Sequence, residues 1–273
     1  MRPLLVLATL LPLWAGDPGT IRLNFRTRVE AFKGSGAWEE AHFERSFPMS
    51  RTAILICDMW DNHWCTGAAR RVEVLAKKMA PLIDEARDHG VQIIHSPSEV
   101  MAFYAETPQR RRLLELPKFE PPPALDLSDP PLPVDTADGG CDTDDKFYKA
   151  WTREIATIRI AGNDIISDRG PEIYSFLKQR GIDSLLVMGV HTNMCVLNRS
   201  FAIKQMTKWG VRCTLVRDLT DAMYSPRNPP HVSHERGTEL VIQHIEKYWC
   251  PSVLSSDLRQ AFLAKTQRTA KKP

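Results

Sequence analysis

The chain has 273 residues, 43% hydrophobic and 25% charged, enough apolar material for one large core. Its 36 basic and 33 acidic residues are mixed along the sequence and leave a net charge of +3, so no DNA or RNA partner is expected. Residues 1–16 carry the apolar run LLVLATLLPLW and end in Ala15 and Gly16, which reads as a signal peptide. The run is too short, and too broken by Pro3 and Pro12, to span a bilayer. An exported protein (periplasmic or secreted) is therefore expected, with no membrane association once the signal is removed.

Residues 17–50 are expected to form a small β extension. The imperfect alternation over 21–44, interrupted by Gly34-Ser-Gly36, predicts two strands that cover a sheet edge or loop, or serve oligomerisation. A homo-oligomer is expected. Thr52–Cys57 is a continuous apolar run, the mark of a parallel strand covered on both faces, and Asp58 follows it directly. Apolar steps at Val72, Leu75, Met79, Leu82 and Ile83 predict a helix over 68–89, which Gly90 stops; residues 91–94 form the next strand, ending at His95. The RRRLLELPK run reads as a solvated face. A proline-rich insertion near 117–145 excludes regular structure and suits a lid or wrapping segment. Its five aspartates from Asp135 to Asp145 lack the spacing of a Ca²⁺ loop and read as turn chemistry.

Residues 155–160 are expected to be the third strand, and Gly170-Pro171 to open a helix running to about Arg180. Residues 185–188 are another buried strand. It runs through Gly189 into the polar turn His191, Thr192, Asn193, and from Cys195 apolar residues recur at helical steps as far as Gly210. A strand over 211–216, with Asp218 just past its end, a loop and a helix over 235–248 follow, and the polar tail from about 264 is expected to be disordered. Strands alternating with helices predict a three-layer α/β/α Rossmann-like domain with a central parallel sheet.

In such sheets ligands sit beyond the carboxyl ends of the strands, where both Asp58 and Cys195 stand. A cysteine in the first turn of a helix meets unpaired N–H groups that favour thiolate and can hold an oxyanion. Cys57 and Cys213 fall inside predicted strands. Of Cys65, Cys141 and Cys250 an exported protein could pair two, with Cys141–Cys250 one such pairing.

GVHTNMCV with the following helix and strand, and TAILICDMWDNHWC upstream, resemble the isochorismatase-like cysteine hydrolases, the superfamily that includes nicotinamidases. The resemblance implies that the domain occupies 51–257, before a basic tail at 258–273. It implies a hydrolase acting on a small-molecule substrate: C–N cleavage of an amide, imide or ureide through a thioester on Cys195. Asp58 would be the base, and backbone N–H groups near His191 and Cys195, with a cis peptide before His191, would form the oxyanion site. It also implies a lysine at the end of the third strand, but the ungapped match puts Gly162 there. Arg159, Lys149 and His191 are candidate replacement cations, with Arg159 and His191 ranked first and second. No cofactor is required. A divalent metal on Asp61, His63 and His95 is a further option, since these could supply three ligands and would serve the same electrostatic purpose. The alternative is a catalytically inactive, hydrolase-derived secreted protein that binds or assembles.

Overall fold

The computed structural model describes residues 19–270. The chain opens with β1 (Thr20–Glu30) and β2 (Trp38–Pro48), an antiparallel hairpin. It continues through β3 (Thr52–Cys57), α1 (Thr66–Asp88), β4 (Gln92–Ser96), α2 (Met101–Tyr104), α3 (Pro108–Leu114) and β5 (Ile165–Ile166). Then come α4 (Gly170–Gln179), β6 (Ser184–Val190), α5 (Cys195–Asn198), α6 (Ile203–Lys208), β7 (Arg212–Asp221), α7 (His234–Tyr248), β8 (Ser252–Val253) and α8 (Ser255–Ala270). All strands join one sheet in the order β2-β1-β8-β7-β6-β3-β4-β5, parallel from β8 to β5.

The three layers follow from the two-residue period of the central strands. Ala53 and Leu55 of β3, with Leu185 and Val187 of β6, face α4, α6 and α7, where Phe176, Ile203 and Val241 cover them. Ile54, Ile56, Leu186 and Met188 point the other way, onto Met79 and Leu82 of α1 and Phe262 of α8. Being covered on both faces, β3 and β6 are buried along their whole length. The hairpin extends the sheet through β8 and is tied down by Arg26 and Arg28, whose Nε atoms lie 2.7 and 3.3 Å from the buried Glu246 carboxylate.

Register places the site. Cys57 pairs with Ser96 of β4 on one side and with Gly189 of β6 on the other, so three strands end level and the loops after them meet. Gly189 has φ +117°, and a Cβ there would collide with the Cys57 carbonyl oxygen, so glycine is required for the close pairing.

Four expectations are corrected. Residues 155–160 are not a strand: Glu154 makes an isolated bridge to Trp60, Ile158 turns back onto Ile155, and the third parallel strand beyond β4 is Ile165–Ile166. The apolar residues there serve another purpose, since Ile158 and Ile155 pack into the α1 layer and anchor the insertion. The helix expected from Cys195 to Gly210 is broken into α5 and α6, because Ser200 turns to accept a hydrogen bond from Gly170 N (3.0 Å) at the start of α4. The stretch expected to be a disordered tail is helical to Ala270. Finally, Cys141 pairs with Cys65, with Cα atoms 5.7 Å apart, while Cys250 is a buried free thiol. The signal segment, residues 1–16, lies outside the described residues.

Candidate active site

Asp58 leaves β3 with φ +45°, which aims its fully buried carboxylate back across the sheet edge. Oδ1 accepts the Ser98 N–H at 2.6 Å, from the loop after β4. On the other side stands Cys195, at the start of α5, close enough for its thiol to act on the carboxylate. The third member is Arg199: its Nε lies 3.3 Å from Asp58 Oδ2, and its charge is felt at the Cys195 sulfur. Glu99 holds that guanidinium from outside, Oε1 to Nη2 at 2.9 Å.

Burial and charge set the protonation states. Burial lifts Asp58 to about 6, with Arg199, the thiol and Ser98 pulling against it. Burial, then the Asp58 charge, pushes the Cys195 thiol well above its ordinary range, and Arg199 opposes both. Burial alone would lower Arg199; Asp58 and Cys195 outweigh it and hold the guanidinium firmly charged. At neutral pH the resting site is thus a thiol beside a paired carboxylate and guanidinium. Because α5 is only four residues long, its dipole contributes little, and the sequence expectation of a helix-stabilised thiolate is replaced by this side-chain arrangement. The Cys195 N–H, first in α5, has no acceptor within the helix and lies beside the sulfur. The peptide before His191 is cis.

The other expected residues lie elsewhere or are in another state. Arg159 is not the cation: it pairs with Asp84 on the surface at 3.1 Å. His191 is not one either, since burial lowers it to about 3 and leaves a neutral ring against His63, with centroids 4.9 Å apart. Lys149 donates to the Glu99 carbonyl oxygen at 3.1 Å, and so touches the cluster only through Glu99. Gly162 lies on the surface, its carbonyl accepting from Arg112.

The expected metal ligands do not assemble. Asp61 accepts from Thr152 and Arg153, His63 accepts the Cys65 N–H through Nδ1 (3.1 Å), and His95 is enclosed by Glu154 (2.9 Å) and Asp164 (3.1 Å). His95 is raised to about 9, so both its nitrogens carry protons, one of which a metal ligand would have to lose. Among the described residues, the one cluster with ligand spacing is Cys65, Cys141 and Asp142, whose sulfurs form the disulfide.

Aromatic rings from the loop after β3 and from the segment that follows the insertion wall the site. Trp151 stacks on Trp60 at 4.4 Å, and Cys195 packs against their cluster. Phe147 meets Trp64 and Trp151 edge-on at 5.7 and 6.5 Å. A cavity of about 360 Å³ borders Asp58 from the α1 side, lined also by Asp61, Asn62, His63, Arg70 and Thr157. Sequence reading missed Arg199, Glu99 and Ser98. The one signal for the cation is the arginine in CVLNRS, one helical turn beyond the cysteine.

No protein-family model and no curated protein matches the sequence. Solved structures do match. A cysteine hydrolase from Pseudomonas syringae pv. phaseolicola superposes with a TM-score of 0.53 at 17% identity, covering 80% of this chain and 95% of that one. A putative isochorismatase from Burkholderia xenovorans (TM-score 0.48, 14% identity, 81% and 96% covered) lies further off. So does an isochorismatase-like hydrolase from Alkaliphilus metalliredigens (0.47, 13%, 78% and 97%). The fold comparison rests on the first of these: this chain has the α/β/α fold of that cysteine hydrolase.

Proposed function

We propose that the chain is a divergent isochorismatase-like cysteine hydrolase that cleaves a C–N bond of a small amide, imide or ureide. The observation that carries this reading is a buried carboxylate, Asp58, held by the Ser98 N–H and paired with Arg199 at 3.3 Å, at the strand edge where α5 presents Cys195. As sulfur attacks the carbonyl carbon, the thiol proton passes to Asp58, so a free thiolate need never accumulate. The oxyanion forms beside the Cys195 N–H. Collapse breaks the C–N bond, and Asp58 returns its proton to the departing nitrogen. Water then attacks the thioester while Asp58 takes one of its protons; the S–C bond breaks, and the proton goes back to sulfur. The Cys65–Cys141 disulfide supports export to an oxidising compartment.

The rival reading, a binding protein without turnover, draws on the strongly raised thiol. Intact-mass measurement on protein mixed with a panel of small amides, imides and ureides separates the two. The expected result is an acyl adduct on Cys195 that is absent from Cys195→Ala. Its rate should rise with pH through about 6, because Asp58 must be ionised to accept the proton. If no compound gives an adduct or product between pH 5 and 9, the hydrolase reading fails.

A further inference from the structure

We propose that Arg199 is the catalytic cation of this site, supplied by the nucleophile segment itself, and that Glu99 is its positioning residue. The inference rests on the hydrolase reading for its chemistry but on the geometry for its residues. Among the described residues, Arg199 is the only Lys, Arg or His with an ion pair to Asp58, and it stands four residues beyond Cys195, near enough for its charge to act on the sulfur. One planar group therefore pairs with the base and lies beside the nucleophile. Before attack the negative charge sits on Asp58; as the proton crosses it moves to sulfur and then onto substrate. A guanidinium paired with the carboxylate and beside the sulfur stabilises the charge in each place without moving. It cannot give up a proton of its own at any working pH, so the thiol proton has one destination, Asp58.

The backbone explains why Arg199 can do this. Helix α5 ends at Asn198, and Arg199 is extended (φ −59°, ψ 151°). The break is held by Ser200, which accepts from Gly170 N, where a Cβ on Gly170 would strike the Ser200 carbonyl. Glu99 then fixes the outer edge of the guanidinium. Its own backbone is pinned in a left-handed conformation (φ +68°), with its N–H donated to Asp168 at 3.2 Å and its carbonyl accepting from Lys149 at 3.1 Å. The segment that follows the insertion thus reaches the reacting atoms through Lys149, Glu99 and Arg199 in turn.

The test needs no substrate: alkylation of Cys195 by iodoacetamide, followed by intact mass from pH 5 to 9, on the wild type, Arg199→Gln, Arg199→Lys and Glu99→Gln. Arg199→Gln should slow alkylation at pH 8 about 100-fold, the scale for losing one electrostatic stabiliser of a reacting anion. It should also move the acid limb up by roughly 1–2 pH units, since Asp58 loses its counter-charge. Arg199→Lys keeps the charge but loses the planar fork, so it should fall between wild type and Arg199→Gln. Glu99→Gln discriminates positioning from plain charge: released positioning slows the reaction and raises the limb, whereas mere loss of an opposing carboxylate would speed it and lower the limb. Far-UV circular dichroism checks each fold, and if Arg199→Gln does not fold, the Lys and Glu99 variants still decide. An unchanged rate and limb in Arg199→Gln, a lysine variant as slow as Gln, or a faster Glu99→Gln would overturn the assignment. Failure of the hydrolase reading looks different: no acyl adduct in the wild type, whatever the alkylation profiles.

Discussion

His95 gives a prediction that isolates one buried charge from the reaction. Its ring is fully enclosed, with Nδ1 2.9 Å from Glu154 and Nε2 3.1 Å from Asp164. Burial alone would lower its pKa; the two carboxylates override this and raise it to about 9 from 6.5. That difference corresponds to about 3 kcal/mol of folding stability. The folded pKa is raised, so the contribution is complete below 6.5, where both folded and unfolded chains are protonated, and is lost as pH rises through about 9. His95→Gln removes the charge and leaves Glu154 buried without its cation, while Asp164 keeps Arg87 at 2.8 Å. A domain of this size moves by about 2–4 °C per kcal/mol, so the variant should melt roughly 6–12 °C below wild type at pH 6. The gap should close substantially by pH 9. Scanning calorimetry at both values reads it directly. An equal gap at the two pH values, or no gap at pH 6, would refute the account of His95 as a buried imidazolium.

Two further outcomes are expected. The Cys65–Cys141 bridge spans 76 residues, so Cys65→Ser should cost about 4 kcal/mol in denaturant unfolding, and the denatured, unreduced wild type should titrate four thiols rather than six. Gly170→Ala places a methyl against the Ser200 carbonyl, so it should destabilise by about 1–3 kcal/mol and slow Cys195 alkylation through displaced Arg199; a stable variant with full thiol reactivity would sever the link between that contact and the site.

Much of the fold was legible because local patterns state it directly. The short continuous apolar runs of β3 and β6 fit strands covered on both faces, and Gly90, Gly181 and Gly210 end the preceding helices. The hairpin, too, follows from alternation around Gly34 and Gly36. Strand ends then place Asp58 and Cys195 on one edge before any coordinates are known. The two-residue β5 was illegible, since so short a strand carries no period, and 155–160 had the better apolar pattern.

What the sequence by itself determined was the layer architecture and the two residues at the strand ends, because periodicity and glycine stops act over neighbouring positions. The partners across the site were decided only by tertiary structure. Arg199 reaches Asp58 because contact with Gly170 ends a helix that the local pattern would have continued. His95 is occupied by Glu154 and Asp164, which lie 59 and 69 residues away in sequence, and so is spent on a buried charge cluster rather than a metal. Cys65 meets Cys141 because the insertion folds back over the mouth of the site. Such contacts are set by chain closure over long separations, which no local spacing encodes.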